Sequence, residues 1–487
     1  MKSLKDILYK VPMEAVAGST AVIINDIHFD SRKVQLNDAF VAVRGTVVDG
    51  HEYISTAIKQ GALAVICEEI PENIINGVTY VQVQNSQTAL AFMAANYYDN
   101  PSENLKLVGV TGTNGKTTVA TLLYNLFTKA GFKVGLLSTV KIMVADKEYK
   151  ATHTTPDSLT INEYLYKMSE EGVEYCFMEV SSHGIAQKRT AALHFAGGIF
   201  TNLSHDHLDY HNSFSEYRDV KKVFFDELPV SAFALTNADD KNGPVMLQNT
   251  RAKKYTYALK SYADYNAQIL ENQFSGLLLK VNGHELWSKL IGNFNAYNIL
   301  AIYAAAELLG LETQENLRII SELQSVSGRF QYVITPQKVT AIVDYAHTPD
   351  ALKNVLETIN SIRTKNEELI TVVGCGGDRD RTKRPVMGNI ASTLSTRVVF
   401  TSDNPRTEDP EKILEEVEKG VEPQNFKKTM SIVNRRQAIK TACQLAQPND
   451  IILIAGKGHE TYQEINGKRT DFDDFKIVSE FLTEMEK

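Results

Sequence analysis

The sequence predicts an α/β protein of three domains, and three observations carry that prediction. The chain has 487 residues, against roughly 100–200 for a usual domain. Short apolar runs alternate with amphipathic segments over much of its length, the pattern of buried parallel strands joined by helices. One of those runs ends in a glycine-rich turn, TGTNGKTT at 111–118, and opens into a helical segment. The central domain is therefore expected to be a P-loop ATPase-type parallel sheet. The expected boundaries are 1–100, 101–334 and 335–487.

In the first of these regions, short β-rich runs occur at Ala21–Ile24, Asp38–Val43, Ala62–Cys67 and Thr79–Val83, with a helix pattern near Tyr53–Lys59. That mixture predicts an N-terminal mixed α/β domain. YYDNPSEN, Tyr97–Asn104, is polar, contains Pro101 and reads as a linker. The runs LKLVGVTG, FKVGLLS, EYCFMEVS, FAGGIFTN and SAFALTN then predict the strands of the central sheet, closed by a helix from about Asn295 to Leu309. After SGRFQYVITPQK a second series begins: VTAIVDY, LITVVGC, TRVVFTS and DIILIAG. It predicts a doubly wound, Rossmann-like C-terminal domain.

Apolar residues make up 43% of the chain and charged residues 23%, which sustains a packed core and excludes wholesale disorder. With 51 Lys+Arg against 59 Asp+Glu and a net charge of −8, no nucleic-acid partner is expected. No apolar run is long enough to span a bilayer, so no membrane insertion is expected. The first residues, MKSLKDILYKVPMEAV, are interrupted by Asp6 and Lys10 and do not read as a signal peptide. A cytoplasmic monomer is the expectation. Cys67, Cys176, Cys375 and Cys443 are far apart with no CxxC spacing, as free thiols in a reducing compartment would be.

The turn at 111–118 carries the clearest chemistry. Gly112 and Gly115 let the backbone wrap so that the N–H groups of Gly112, Thr113, Asn114 and Gly115 face phosphate oxygens, and the following helix end adds partial positive charge. Lys116 would reach the β- and γ-phosphates, and the Thr117 hydroxyl would hold Mg²⁺, with Thr118 next in the helix. The competing reading is an ordinary glycine-rich strand-to-helix turn.

TGTNGKTT, with MEVSSHG at 178–184, TNLSHDHLDYH at 201–211, GNFNAYN at 292–298, SGRF at 327–330 and DYAHTPDAL at 344–352, resembles the Mur ligase family of ATP-dependent amino-acid ligases. DSR at 30–32, GTVVDGH at 45–51, GCGGDRDRTKRP at 374–385 and DNPR at 403–406 are similar to the members that add the third peptide residue. The resemblance spans all three domains. It implies that ATP phosphorylates the carboxylate of UDP-MurNAc-L-Ala-D-Glu and that meso-2,6-diaminopimelate then attacks the acyl phosphate, with Mg²⁺ bound. Cations must dominate such a site, because two anions are brought together. An L-lysine-adding ligase is the alternative within the family; a folylpolyglutamate synthase and a P-loop ATPase without ligase activity are others.

Residue by residue, the resemblance implies that Glu179 joins Thr117 at Mg²⁺, that His207 helps hold a second ion, and that Lys221 is carbamylated to N6-carboxylysine and also meets metal. Relatives usually carry Arg where His205 stands, so no role passes to that residue. Lys222 competes with Lys221 for the carbamate, and a pair of solvated lysines is the bland reading of both. Ser31, Gly45, Asp49, Gly50 and His51 match uridine-nucleotide contacts, and Thr154, Thr155, Ser181, Gln187 and Arg189 match peptide contacts. The ATP site is completed by Asn295 and Asn298 at helical spacing on the adenine side, and by Arg329, Asp344 and His347, which meet the nucleotide when domains close. Diaminopimelate falls to Arg379, Asp403, Asn404, Pro405, Arg406, Gly456 and Glu460. Arg406 offers a planar fork for its extra carboxylate, and Pro405 stiffens the loop that aims it.

Overall fold

The computed structural model describes residues 1–45, 48–204 and 213–487. The chain forms two compact units, the first holding Met1–Asn202 with Ser215–Thr256 and the second built mainly from Tyr257–Lys487. Both are α/β, as the sequence predicts.

In the first unit, the described residues form two principal sheets. One runs in the order Met13–Ala17, Thr79–Val83, Ala64–Cys67, Ala39–Val41, Ile27–His28, with only the first pair antiparallel. Its inner strands are buried on both faces: Val41, Ile66 and Val81 pack with Leu4, Ile7 and Met93, while Phe40, Val65 and Tyr80 pack with Ile54 and Ala57. The period-2 alternation of two apolar faces is why these strands read as continuous apolar runs. Tyr97–Asn104 is not a free linker. Tyr97 ends the helix Ser86–Tyr97, Pro101 opens a short 3-10 turn, and buried Ser102 accepts a hydrogen bond from the His194 N–H at 3.0 Å. Proline and polar residues mark a tight turn as readily as a linker.

The second sheet of this unit has the order Lys147–Lys150, Lys141–Val144, Val134–Leu137, Tyr175–Glu179, Lys106–Thr111, Phe195–Phe200, Phe233–Asn237. From Val134–Leu137 onward its pairs are parallel. Glu179 stands beside Val110, and Phe200 beside Thr111, so three strands end together where the glycine-rich turn begins. In an open parallel sheet this carboxyl edge is where ligands are handled.

The second unit opens with an antiparallel meander, Tyr265–Gln273, Gly276–Val281 and His284–Ser288, followed by helices Asn293–Leu308 and Thr313–Glu322. Its larger sheet runs Gln331–Ile334, Thr340–Asp344, Ile451–Ala455, Leu369–Val373, Arg397–Phe400, Thr429–Ser431, parallel except for the first pair. Helices cover both faces, with Leu352, Leu356 and Ile413 on one and Ile439, Ala442 and Val478 on the other. The expected doubly wound arrangement is present. No helix among the described residues is long and apolar enough to cross a membrane. All four cysteines are free and buried; burial pushes the Cys67 thiol up to about 11 and the Cys443 thiol up to about 12.

One ion pair lies wholly inside this unit. Arg435 and Asp474, both without solvent exposure, meet through two hydrogen bonds of 2.8 and 2.7 Å, and Arg435 also donates to the Ala455 carbonyl at 3.1 Å. This ties the helices Arg435–Leu445 and Asp474–Glu484 to the end of a central strand. Removing one partner leaves the other charge buried, so Asp474→Ala should cost about 3–5 kcal/mol. The urea midpoint should fall accordingly, and an Arg435→Met/Asp474→Leu double variant should lose much less.

Candidate active site

Strand Lys106–Thr111 feeds the turn at 112–115, and helix Lys116–Lys129 leaves it. Gly112 has φ +149°, and a Cβ there would lie 2.0 Å from Thr201 Oγ1, so this position accepts no side chain without a shift. The turn is shaped by the neighbouring strand end. The Thr113 N–H donates to Asn202 O (2.8 Å) and the Asn114 N–H to Asn202 Oδ1 (3.0 Å). In return, Thr201 Oγ1 (2.6 Å) and Asn202 Nδ2 (3.1 Å) donate to Asn114 O. Lys116 folds over the turn, its Nζ donating to Gly112 O at 3.0 Å and Thr113 O at 2.8 Å. Thr117 and Thr118 follow in the first helical turn, both buried.

Glu179 is 1% exposed. Its Oε2 accepts from Thr117 Oγ1 at 2.9 Å and its Oε1 from the Thr139 N–H at 2.7 Å. Its main-chain oxygen accepts from Thr155 Oγ1 at 2.9 Å, and that oxygen in turn accepts from the Ser181 N–H at 2.9 Å. Thr154 reaches the same cluster through Thr139 Oγ1 at 3.0 Å. Arg189 donates to the Thr155 carbonyl and twice to Gln187 Oε1, at 3.1 and 2.6 Å. Thr154, Thr155, Ser181, Gln187 and Arg189 are thus brought together around Glu179.

Helix Phe214–Asp226 separates the two lysines. Lys221, 1% exposed, lies 4.7 Å over the Tyr217 ring and donates to Gly112 O at 2.9 Å. Lys222 instead pairs with Asp226 at 2.6 Å. Tyr217 is itself part of the site, its hydroxyl 3.1 Å from Thr113 Oγ1. Neither this role nor that of Thr139 was read from the sequence; the Tyr217 to Lys221 spacing, one helical turn, is the signal for the first. His207 lies outside the described residues.

On the smaller sheet of this unit, Ser31 occupies a short turn capped by Asp30, whose carboxyl the Arg32 guanidinium holds down at about 2. The Gly45 N–H donates to Val48 O (3.0 Å) and the Gly50 N–H to Val43 O (2.9 Å). Asp49 accepts from the His51 N–H (3.0 Å) and His51 Nδ1 (2.6 Å). His51 Nε2 accepts from the Glu68 N–H at 2.9 Å, which places the ring proton on Nδ1.

In the second unit, Asn295 and Asn298 are buried in the first two turns of their helix. Asn295 Nδ2 donates to Ile291 O (2.8 Å), and Asn298 Nδ2 to Asn295 Oδ1 (3.0 Å). Elsewhere in this unit, Arg329 stacks 4.7 Å over Tyr345, whose ring is 4.5 Å from His347 and 5.0 Å from His459. Asp344 Oδ2 accepts from the Phe330 N–H at 2.7 Å. Burial pushes the Asp344 carboxyl up to about 6. Burial, and then the charges of Arg329, His347 and Lys457, push His459 down to about 3.

The 403–406 loop follows strand Arg397–Phe400. Asp403, Asn404 and Pro405 are buried. Asp403 Oδ2 would lie 2.6 Å from a Cβ at Gly456, so glycine there makes room for it. Asn404 Nδ2 donates to Glu460 Oε2 at 2.8 Å. Arg406 sits at φ +51°. Its N–H donates to Glu464 O (3.1 Å), its carbonyl accepts from the Asn466 N–H (2.6 Å), and its Nη1 donates to Gly377 O (2.6 Å). Arg379 is exposed on the facing 376–381 loop. Glu408 joins the two loops, accepting from the Asp378 N–H at 2.6 Å and pairing with Arg384 and Arg381, each at 2.9 Å. The buried Arg384 guanidinium holds the Glu408 carboxyl down at about 2. The hairpin Tyr462–Ile465/Lys468–Asp471 that grips Arg406 was not read from the sequence, although its turn, Asn466-Gly467, is a strong hairpin signal.

Comparison with known proteins extends this geometry. Residues 23–98 match the model of the Mur ligase family, catalytic domain; residues 110–306 match the Mur ligase middle domain; residues 328–458 match the Mur ligase, glutamate ligase domain. The chain is 54% identical over 485 residues to a Cytophaga hutchinsonii protein named UDP-N-acetylmuramoyl-L-alanyl-D-glutamate--2,6-diaminopimelate ligase, covering 99% of this chain and 100% of that one. A Bacteroides thetaiotaomicron protein of the same name is 51% identical, covering 98% and 99%. A solved structure of a ligase of that name superposes with TM-score 0.71 at 32% identity, covering 100% and 99%. Folylpolyglutamate synthase from Thermotoga maritima shares the fold, with TM-score 0.61 at 15% identity over 81% of this chain and 92% of that one.

Asp344 and His459 make opposite contributions to stability on acidification. Folded Asp344 keeps its proton up to about pH 6 against 3.8 ordinarily, so its contribution grows as pH falls from about 6 to about 4. Folded His459 resists protonation down to about 3 against 6.5, so its contribution is lost as pH falls below 6.5. Asp344→Asn removes the first slope and should leave a steeper loss of stability between pH 6.5 and 4.5. Urea midpoints at the two pH values measure it; an unchanged slope contradicts the assignment.

Proposed function

The chain belongs to the Mur ligase family, and we propose that it is the ATP-dependent ligase that adds meso-2,6-diaminopimelate to UDP-MurNAc-L-Ala-D-Glu in peptidoglycan synthesis. One observation carries this reading. The phosphate turn, buried Glu179 and the peptide-side residues Thr155, Ser181 and Arg189 are one hydrogen-bonded set, so a phosphoryl donor and an acceptor carboxylate would be recognised by connected groups. The first hundred residues would hold the nucleotide sugar, the central region ATP, and the C-terminal region the amine. The nucleotide substrates put the reaction in the cytoplasm.

Thr117 and Glu179 fit Mg²⁺, offering a hydroxyl and a carboxylate 2.9 Å apart beside the phosphate turn, and phosphates and water commonly complete such a shell. Bound there, the ion would neutralise phosphate charge. His207 and a carbamate on Lys221 would serve a second ion. Lys221 has a local reason to be modified: its ammonium and that of Lys116 donate to the same Gly112 carbonyl and repel each other. Carbamylation requires the ammonium to give up one proton; the neutral nitrogen then adds to CO₂ and loses a second, so that one of the two cations becomes an anion.

The peptide carboxylate would attack the γ-phosphorus, releasing ADP and forming the acyl phosphate. The neutral amine of diaminopimelate would then attack the acyl carbon, and phosphate would leave. The start of helix Lys116–Lys129 would face the phosphates, the Thr113 and Asn114 N–H groups donating instead to Asn202, and positioning with charge stabilisation supplies most of the rate. Arg189 would orient the peptide side. In the C-terminal region, the Arg406 fork would recognise the distal carboxylate that lysine lacks, and Glu460 the distal ammonium.

A ligase assay with UDP-MurNAc-L-Ala-D-Glu, ATP and Mg²⁺ tests this reading by comparing the two amines. Diaminopimelate should be incorporated in preference to lysine; lysine incorporated better, or ADP released without peptide and amine, contradicts it. Arg406→Ala should raise the KM for diaminopimelate about tenfold or more and narrow its advantage over lysine. Lys221→Ala should lower kcat at least about 100-fold; wild-type activity in that variant contradicts the carbamate.

A further inference from the structure

Lys457 is entirely without solvent exposure, yet it carries an ammonium group. A buried charge is costly unless paired and hydrogen-bonded, so its partners say what it is for. Nζ donates to Asn404 Oδ1 at 2.9 Å and to Glu460 Oε2 at 2.9 Å, stands 4.0 Å from Asp403 Oδ1, and lies 5.3 Å from the Tyr462 ring. Asn404 Nδ2 donates to that same Glu460 Oε2 at 2.8 Å. The three side chains therefore close a triangle. The Asn404 carbonyl accepts a further bond from the Glu464 N–H at 2.9 Å, so two donors on Oδ1 turn the amide nitrogen toward Glu460.

From this geometry we infer that Lys457 is a positioning residue for the amino-acid substrate, acting through Glu460 and Asn404; the inference rests on the ligase reading above. Glu460 is 16% exposed at its side chain, and its Oε2 already accepts two hydrogen bonds, one of them charge-assisted. Among the described residues, Oε1 accepts none. A carboxylate pinned through one oxygen presents the other in a fixed direction, and substrate then meets a group whose rotamer freedom has already been removed. The ammonium also offsets the charges of Asp403 and Glu460, which stand on two loops that would otherwise repel. A zwitterionic side chain with one ammonium and one carboxylate is the ligand class that matches an anchored carboxylate beside Arg406.

Steady-state kinetics of Lys457→Met test the inference. The KM for diaminopimelate should rise about tenfold or more, the loss of one charge-assisted anchor, while the KM values for ATP and the nucleotide peptide stay within about twofold. A general structural defect would move all three together. The Lys457→Met/Glu460→Gln double variant removes the buried charge with its partner, and keeps the test open if the single variant does not fold. Its KM for diaminopimelate should match that of Glu460→Gln alone within about twofold, because Lys457 acts through that carboxylate. An unchanged KM for diaminopimelate in Lys457→Met, a parallel rise in all three KM values, or a double variant about tenfold worse than Glu460→Gln would overturn the inference. Wild-type enzyme that fails to use diaminopimelate would overturn the ligase reading and this inference with it, whereas normal wild-type turnover alongside any of those results overturns the inference alone.

Discussion

Two anions, a triphosphate and a carboxylate, do not approach each other unless opposing charge and donors are fixed before they arrive. That constraint organises the first unit. Three parallel strands end together, and their ends supply a glycine-rich turn, a buried carboxylate and a set of threonine hydroxyls. Glu179 links them: its side chain fastens the first turn of the phosphate helix, and its main chain fastens the segment carrying Thr155. Lys116 and Lys221 converge on one carbonyl, that of Gly112, at a position where the backbone leaves no room for a side chain.

The second unit meets the same constraint for a different ligand. Its buried cationic groups are held in pairs and triads. Arg384 bridges Glu408 and Glu416, Lys457 bridges Asn404 and Glu460, and Arg435 closes on Asp474. Such networks contribute little net stability once desolvation is counted, but the first two fix the loops that carry Arg379 and Arg406. Backbone contacts do the rest: Arg406 adopts a left-handed conformation, gripped on both sides by a hairpin.

Much of this was legible in the sequence, for identifiable reasons. Strands buried on both faces leave uninterrupted apolar runs, so Lys106–Thr111, Tyr175–Glu179, Leu369–Val373 and Ile451–Ala455 could be read with small errors at their ends. The phosphate turn announces itself through glycine spacing and its Gly-Lys-Thr ending. Solvent-facing hairpins were not read. Lys147–Lys150 and Lys468–Asp471 carry almost no apolar residues, and the strongest mark of the second is its Asn466-Gly467 turn, at positive φ. Thr139, Tyr217 and Lys457 escaped for another reason: each acts through a contact distant in sequence, with Glu179, Thr113 or Asn404, and no local spacing encodes such a meeting.

The chemistry itself is tested most directly by following oxygen. UDP-MurNAc-L-Ala-D-Glu labelled with ¹⁸O in the carboxylate that accepts the amine can be turned over with ATP and diaminopimelate, and the released phosphate examined by mass spectrometry or ³¹P NMR. Activation through an acyl phosphate transfers one labelled oxygen from the peptide to each phosphate released. Unlabelled phosphate accompanying amide formation would contradict phosphorylation of the carboxylate, and with it the role assigned to the connected site around Glu179.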